Sequence, residues 1–264
     1  MTILEEICNR KRRDLQDIKG QHPPRELYRE AEKMMGCNPA HRSLSQALRQ
    51  SPIGIIAEFK RKSPSKGWIK QDARPEIITP AYQQAGAAAL SILTDGPYFG
   101  GSGADIIAAR PLVSLPILRK DFIIDEYQVF EAKLLGADAL LLIAACLSKA
   151  QCRTLAHTAS ILGMETLLEI HGEEELDYIC DDIDVVGVNN RDLHRFHTDI
   201  QTSVKLASQI PAEFTKISES GIATEDDINL LCQCGYNGFL IGESFMKTEN
   251  PGQTLRHLIT NINP

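Results

Sequence analysis

Eight short apolar runs alternate with helical patterns between residues 53 and 259, and this alternation predicts an α/β fold, a closed (β/α)8 TIM barrel behind an N-terminal helical extension. Two further observations support it. Glycines recur at helix ends just before the next strand, in Ala85-Gly86-Ala87, Leu135-Gly136-Ala137, Leu162-Gly163-Met164 and Cys234-Gly235-Tyr236. Polar and charged residues collect at the last positions of the apolar runs, where a barrel carries its chemistry. The structural rival is an open doubly wound sheet, whose dinucleotide form wants Gly-x-Gly-x-x-Gly after the first strand. Residues 60–67 supply no such motif, and Gly101-Ser102-Gly103 lacks a third glycine and reads as a loop.

The extension comes first. In it Ile3, Ile7, Leu15 and Ile18 keep helical spacing amid charges, which predicts an amphipathic helix ended by His22-Pro23-Pro24. Helices over 25–35 and 43–50 follow, the latter capped by Ser43. The predicted strands span 53–60, 88–94, 117–120, 139–143, 165–170, 185–189, 215–219 and 238–241. Helices are expected over 75–84, 104–113, 126–135, 149–162, 173–180, 202–209, 225–234 and 253–259.

With 264 residues and 43% hydrophobic content the chain can bury a large core, and the barrel reading makes 1–264 one domain with 1–51 as an extension covering the barrel. A net charge of −7 argues against a nucleic-acid or anionic-membrane partner. The basic run around Lys62 is short and interrupted by Pro64, which disfavours a localisation signal. The seven cysteines are scattered and include no pair with the two-residue gap of a zinc or redox motif, so a reduced, cytoplasmic setting is expected. Residues 1–12 hold no signal-peptide core, and no segment reaches the roughly 20 apolar residues of a membrane span.

Glu58 and Lys60 end the first strand two residues apart, so both point to one face. Desolvating such a pair is costly, and it needs a partner or a task. Lys120 ends the third strand, Glu169 the fifth, Asn189 and Arg191 the sixth and Glu219 the seventh. Any one of these is at home in a strand-end salt bridge. Two lysines and three glutamates on one predicted rim instead form a set whose mutual fields shift groups toward acid or base duty. Gly221 and Gly242 follow strands seven and eight directly, in the pair of loops where barrels offer backbone N–H groups to a phosphate. Lys60 and Arg191 add positive charge there.

The successive motifs Glu58-Phe-Lys-Arg-Lys-Ser-Pro-Ser-Lys-Gly67, Leu118-Arg-Lys-Asp-Phe122, Leu168-Glu-Ile-His171, Val188-Asn-Asn-Arg-Asp-Leu193, Ser218-Glu-Ser-Gly-Ile222 and Leu240-Ile-Gly-Glu-Ser244 resemble those of indole-3-glycerol phosphate synthase. The resemblance runs through nearly the whole chain, and its first motif is highly specific. It implies an enzyme of tryptophan biosynthesis, a carbon-carbon lyase that closes the ring of 1-(2-carboxyphenylamino)-1-deoxyribulose 5-phosphate with loss of carbon dioxide and water. It implies no cofactor and no metal, and a small phosphorylated substrate as partner; a monomer is expected, although the sequence itself leaves the oligomeric state open.

By motif match, Lys120 is implied as the general acid of ring closure and Glu169 as the carboxylate that moves protons in dehydration. Lys60 is implied beside the substrate carboxylate and phosphate, with a second acid role open to it. Glu58 and Glu219 resemble the supporting carboxylates, and Asn189 matches a polar substrate contact. Arg191, Ser220, Gly221 and Gly242 match phosphate contacts, with Ser63 near the same loop. Pro64, Phe99, Phe122, Leu141, Leu193 and Ile241 match the pocket for the anthranilate ring, and the N-terminal helix is implied to lie over the barrel mouth. Two positions depart from the family pattern. Glu243 follows Gly242 where some members carry a small hydroxyl residue, and an acid beside a phosphate repels it unless it points away. Gly96-Pro97 departs in the loop after the second strand.

Two rival functions fit the strand ends less well. Phosphoribosylanthranilate isomerase resembles a barrel with a Cys after the first strand, where this chain has Glu58 and Lys60. A phosphate-binding barrel without turnover needs neither Lys120 nor Glu169.

Overall fold

The run Gly54-Ile55-Ile56-Ala57-Glu58-Phe59 is buried at every position, as a parallel strand covered on both faces must be. It forms β1 (Gly54–Phe59) in a computed structural model that describes residues 2–35, 42–192, 197–222 and 224–262. The other strands of the closed sheet are β2 (Ala89–Leu93), β3 (Ile117–Lys120), β4 (Ala139–Ile143), β5 (Glu165–Ile170), β6 (Val185–Asn189), β7 (Thr215–Glu219) and β8 (Gly238–Ile241). All neighbours pair in parallel in sequence order, and β8 closes the ring on β1 with Gly54 opposite Gly238 and Ala57 opposite Ile241. Eight parallel strands alternating with helices in a closed ring make a TIM barrel, as the spacing of apolar runs predicts.

Alternation along the strands divides the core in two. Ile56, Ala89, Leu118, Leu141, Leu167, Val185, Ile217 and Leu240 pack inside the barrel. Residues of the opposite parity, such as Ile55, Ala57, Leu90, Ile92, Leu140, Leu168 and Val186, pack outward against the surrounding helices. Continuing the inner parity toward the carboxyl ends reaches Glu58, Lys120, Glu169, Asn189 and Glu219, so the fold itself gathers them.

The extension touches the barrel in three places, not only at its mouth. α1 (Ile3–Gln21) starts from a capping box of Thr2 and Glu5 and lies at the carboxyl-end rim, where Ile3, Leu4 and Ile7 face the cavity described below. Leu15 is buried as its spacing predicts, but Ile18 is 39% exposed and lies off the packed stripe. α2 (Pro24–Met35) packs on the barrel wall through Leu27, near Tyr127, and through Tyr28, whose ring stacks on Phe130 at 4.0 Å. α3 (Leu44–Gln50), capped by Ser43, plugs the opposite end of the barrel with Leu44 and Leu48, each worth about 1.5–3 kcal/mol of burial. It is fixed there by Ser45, whose backbone N–H donates to Glu165 Oε2 at 2.7 Å, and by Arg49, whose Nε donates to Thr215 Oγ1 at 2.6 Å.

Local departures from the expected elements have local causes. The helix expected over 104–113 runs only through Gly103–Ala109 and tightens into a 3-10 turn at Arg110–Leu112, because Pro111 has no N–H to continue it. The same helix recruits the expected loop: Ser102 is its cap in a capping box with Asp105, and Gly103 is its first residue. The segment expected as a helix over 173–180 is a 3-10 helix, Glu173–Tyr178, opening on three adjacent carboxylates. Gly96 and Pro97 start a single helical turn, Gly96–Phe99, capped by Asp95. Residues Lys62–Ser63 and Gly67–Trp68 form a two-stranded ribbon in the loop after β1 that periodicity does not predict. Among the described residues, no helix is long and apolar enough to cross a membrane.

Candidate active site

Glu58 Oε1 lies 2.5 Å from Lys60 Nζ at the end of β1. Lys120, closing β3, stands between two carboxylates: its ammonium contacts Glu219 and lies 3.5 Å from Glu169 Oε2. Asn189 Nδ2 donates to Glu169 Oε1 at 3.1 Å, while its Oδ1 accepts from the Arg191 backbone N–H at 3.0 Å. Strand register sets these neighbours, since Glu169 pairs with Gly187 and Asn189 with Glu219. Glycine gives close approach at two points of this cluster, tightly at Gly187 and without room for any Cβ at Gly242. A Cβ on Gly187 would come within 3.3 Å of Glu219 Oε1, and one on Gly242 within 2.6 Å of Glu58 Oε1.

Burial alone would discharge these groups, and their partners decide otherwise. Desolvation opposes the charge on Lys120, but Glu219, Glu169 and Glu58 outweigh it and hold the ammonium above the ordinary lysine value. Desolvation likewise opposes ionisation of Glu169, yet Lys120, His171 and Asn189 hold its carboxyl well below the usual carboxylate range. Glu219 is pushed up to about 8 by burial and by the charge of Glu169, with Lys120 pulling the other way. Through direct contacts, four carboxyl groups (Glu58, Glu169, Glu175, Glu219) meet three cations (Lys60, Lys120, His171). Of the carboxyls in that set, Glu219 is the one that burial and the charge of Glu169 push toward the protonated form.

The cluster forms the floor of a cavity of about 380 Å³. Pro64, Phe99, Phe122, Leu141 and Ile241 line it, with the Phe99 and Phe122 rings 6.1 Å apart. Arg191, Ser220, Gly221 and Gly242 line it as well, together with Glu243, Ser244 and Lys247. Ser220 and Gly221 both adopt left-handed backbone, with φ of 68° and 74°. For Ser220 this conformation is strained, and the buried Asn190 holds it by donating to the Ser220 carbonyl at 3.0 Å and to Ser218 Oγ at 2.9 Å.

Ser63 is the exception among the expected contacts. It does not line the cavity; its buried hydroxyl accepts from the Lys66 backbone N–H at 3.3 Å inside the loop, and Ser65 faces the cavity instead. Leu193 lies outside the described residues. Residue-by-residue reading passed over Ile3, Leu4 and Ile7 as cavity wall, Asn190 as a brace and His171 as a neighbour of Glu169. For His171 a signal existed, because it stands two residues beyond Glu169 and shares its parity. Asn190 has outward parity and gave none.

A family model described as indole-3-glycerol phosphate synthase matches residues 4–258. The chain belongs to the indole-3-glycerol phosphate synthase family. It is 54% identical over 262 residues to the indole-3-glycerol phosphate synthase of Bacteroides thetaiotaomicron, covering 98% of both chains. It is 43% identical over 263 residues to that of Azoarcus sp., covering 97% of this chain and 98% of the relative. Members of this family are decarboxylating lyases of tryptophan biosynthesis, so the family and the enzyme class expected from the motifs stand. Among solved structures, a chain of the tryptophan synthase a2b2 complex from Pyrococcus furiosus superposes with a TM-score of 0.57 at 14% identity, covering 79% of this chain and 97% of that one. That likeness carries the barrel fold alone.

Proposed function

We propose that the protein closes the indole ring of carboxyphenylamino-deoxyribulose phosphate with Lys120 as general acid and Glu169 as general base. The observation that carries this reading is the buried ammonium of Lys120 held between Glu169 and Glu219 on the floor of a half-apolar cavity. In ring closure an aryl carbon gives an electron pair to the ketone carbon, and the carbonyl pair becomes an alkoxide. Lys120 rests fully protonated, and an alkoxide is basic enough to take its proton even with the lysine value raised. The bond to the carboxylate then breaks, carbon dioxide leaves, and its electron pair restores the aromatic ring. In dehydration the new hydroxyl leaves as water with a proton from a lysine ammonium, and Glu169 removes the proton from the methylene carbon beside the nitrogen.

Phe99, Phe122, Pro64, Leu141 and Ile241 are assigned to the flat anthranilate ring, which binds well against apolar walls. Arg191, Lys60 and the backbone of Ser220, Gly221 and Gly242 are assigned to the phosphate. Glu58 holds Lys60 in place beside the anions. α1 closes the cavity from above and excludes water during the reaction. We place the enzyme in the cytoplasm, a reading supported by the free thiols of its described cysteines, and take it to act as a monomer.

The test is to mix purified, folded protein with this substrate and follow indole fluorescence. Product formation is expected, and none with folded protein would end the catalytic reading. Lys120→Ala is expected to lower turnover by about 10²–10⁴ while phosphate-dependent binding persists. Near-normal turnover in that variant would remove Lys120 as the acid.

A further inference from the structure

His171 follows the last residue of β5 and is 15% exposed at its side chain. Its Nε2 lies 3.3 Å from Glu169 Oε1, and its Nδ1 lies 3.3 Å from Glu175 Oε2. Its backbone N–H donates to the same Glu175 oxygen at 2.6 Å. Glu175 is brought back by the 3-10 helix Glu173–Tyr178, which is tied down where Tyr178 Oη donates to the Leu147 carbonyl at 2.9 Å. The other ionisable groups around this pair are Lys120 and Glu219, on the far side of Glu169, and the Cys146 thiol, which feels both Glu169 and Glu175.

The geometry points to His171 as a positioning residue that, backed by Glu175, holds Glu169 ionised and turned so that its Oε2 is the oxygen that takes the proton. This rests on the reading of Glu169 as the base. Each ring nitrogen lies 3.3 Å from a carboxylate oxygen, Nδ1 in a hydrogen bond to Glu175 and Nε2 beside Glu169 without hydrogen-bond alignment, and a neutral imidazole has a lone pair on one of them. Only the imidazolium carries N–H on both nitrogens and a positive charge between the two carboxylates. The two carboxylates outweigh the cost of burial and raise the His171 value to about 10, in agreement with that geometry. With Asn189 donating to Glu169 Oε1 and His171 beside the same oxygen, Oε1 is occupied. Oε2 lies on the other side, 3.5 Å from the Lys120 ammonium, in a residue that lines the cavity beside Glu219.

The experiment pairs a charge measurement with kinetics on the whole chain. Nitrogen-15 NMR of the His171 ring, assigned by its loss in His171→Gln, is expected to show imidazolium from pH 6 to pH 8. His171→Gln is expected to lower kcat about tenfold with KM within about twofold, and to move the acid limb of the kcat/KM profile to higher pH, because Glu169 loses a cation. Glu175→Gln is expected to lower the ring's titration point and shift the acid limb the same way, and it serves alone if His171→Gln does not fold. A neutral ring at pH 7, or variants that leave both kcat and the acid limb unmoved, would overturn the assignment. If wild-type protein forms no indole product, the catalytic reading fails and takes the role toward a base with it. The NMR titration, which needs no turnover, then still decides whether His171 is charged.

Discussion

Arg119 and Lys120 are adjacent, and strand parity gives them opposite tasks. Lys120 points into the cavity, whereas Arg119 points outward and is buried among Thr94, the Gln128 carbonyl, Asp121 and Glu131, at 3.1, 2.9, 3.2 and 2.6 Å. Its guanidinium spends its donors on fixing the loop that follows Lys120. Arg119→Met is expected to cost about 3–5 kcal/mol in urea denaturation, because it leaves buried Asp121 short of a counter-charge. Adding Asp121→Asn should recover part of that loss, and a strictly additive double variant would show that the pair does not couple. At this scale the site was legible wherever a charged residue ended a strand, as at Glu58, Lys120, Glu169 and Glu219. Ser63 differs from the rest because it stands in the ribbon after β1, outside the cavity lining, with its hydroxyl accepting from Lys66, and the task of His171 depends on where a later turn returns Glu175.

α1 is tied to the barrel by two cations, Lys19 on Asp125 at 2.7 Å and the half-buried Lys11 at the rim. Lys11 Nζ lies 3.0 Å from Asp95 Oδ2 and 2.7 Å from Asp121 Oδ1, so it joins the helix to the loops after β2 and β3 together. Tyr98 adds a bond from its hydroxyl to Glu6 Oε1 at 2.9 Å. Ile3, Leu4 and Ile7 form part of the cavity wall, and loosening the helix opens that wall. Lys11→Met is therefore expected to speed amide exchange across α1 by about tenfold or more, with the barrel strands unchanged, and to raise KM. Uniformly faster exchange would instead mean that Lys11 supports the whole fold. Six of the eight strands run as their apolar patterns predict, and β1 and β2 lose only end residues. The docking of the extension was less legible, because helical periodicity gives an apolar face without naming its partner. That Leu44 and Leu48 fill the far end of the barrel, while Ile7 faces its mouth, emerges only from the fold.

Across the whole molecule, the buried charges set opposing pH limbs. Asp121 is held down to about 2 because Arg119 and Lys11 outweigh its burial, so its contribution is present above the unfolded carboxyl value near 4 and is lost as pH falls toward 2. That loss amounts to about 2 kcal/mol, and Glu169 adds to it in the same direction. Glu219 and His171 act the other way. Raised to about 8, Glu219 contributes stability that is present below its unfolded value and lost as pH climbs through 8. His171, raised to about 10, contributes below an unfolded value near 6.5 and loses that contribution toward pH 10. The limbs together lower stability at both ends of the range and put its maximum below the pH at which Glu219 ionises. Urea midpoints measured from pH 3 to pH 9 are expected to peak there, and a maximum at or above pH 8 would contradict the assigned charge states. The limbs are separable by variant. Asp121→Asn should flatten the acid side, and Glu219→Gln, which carries no titrating proton, should flatten the decline between pH 5 and pH 8 while leaving the acid side in place.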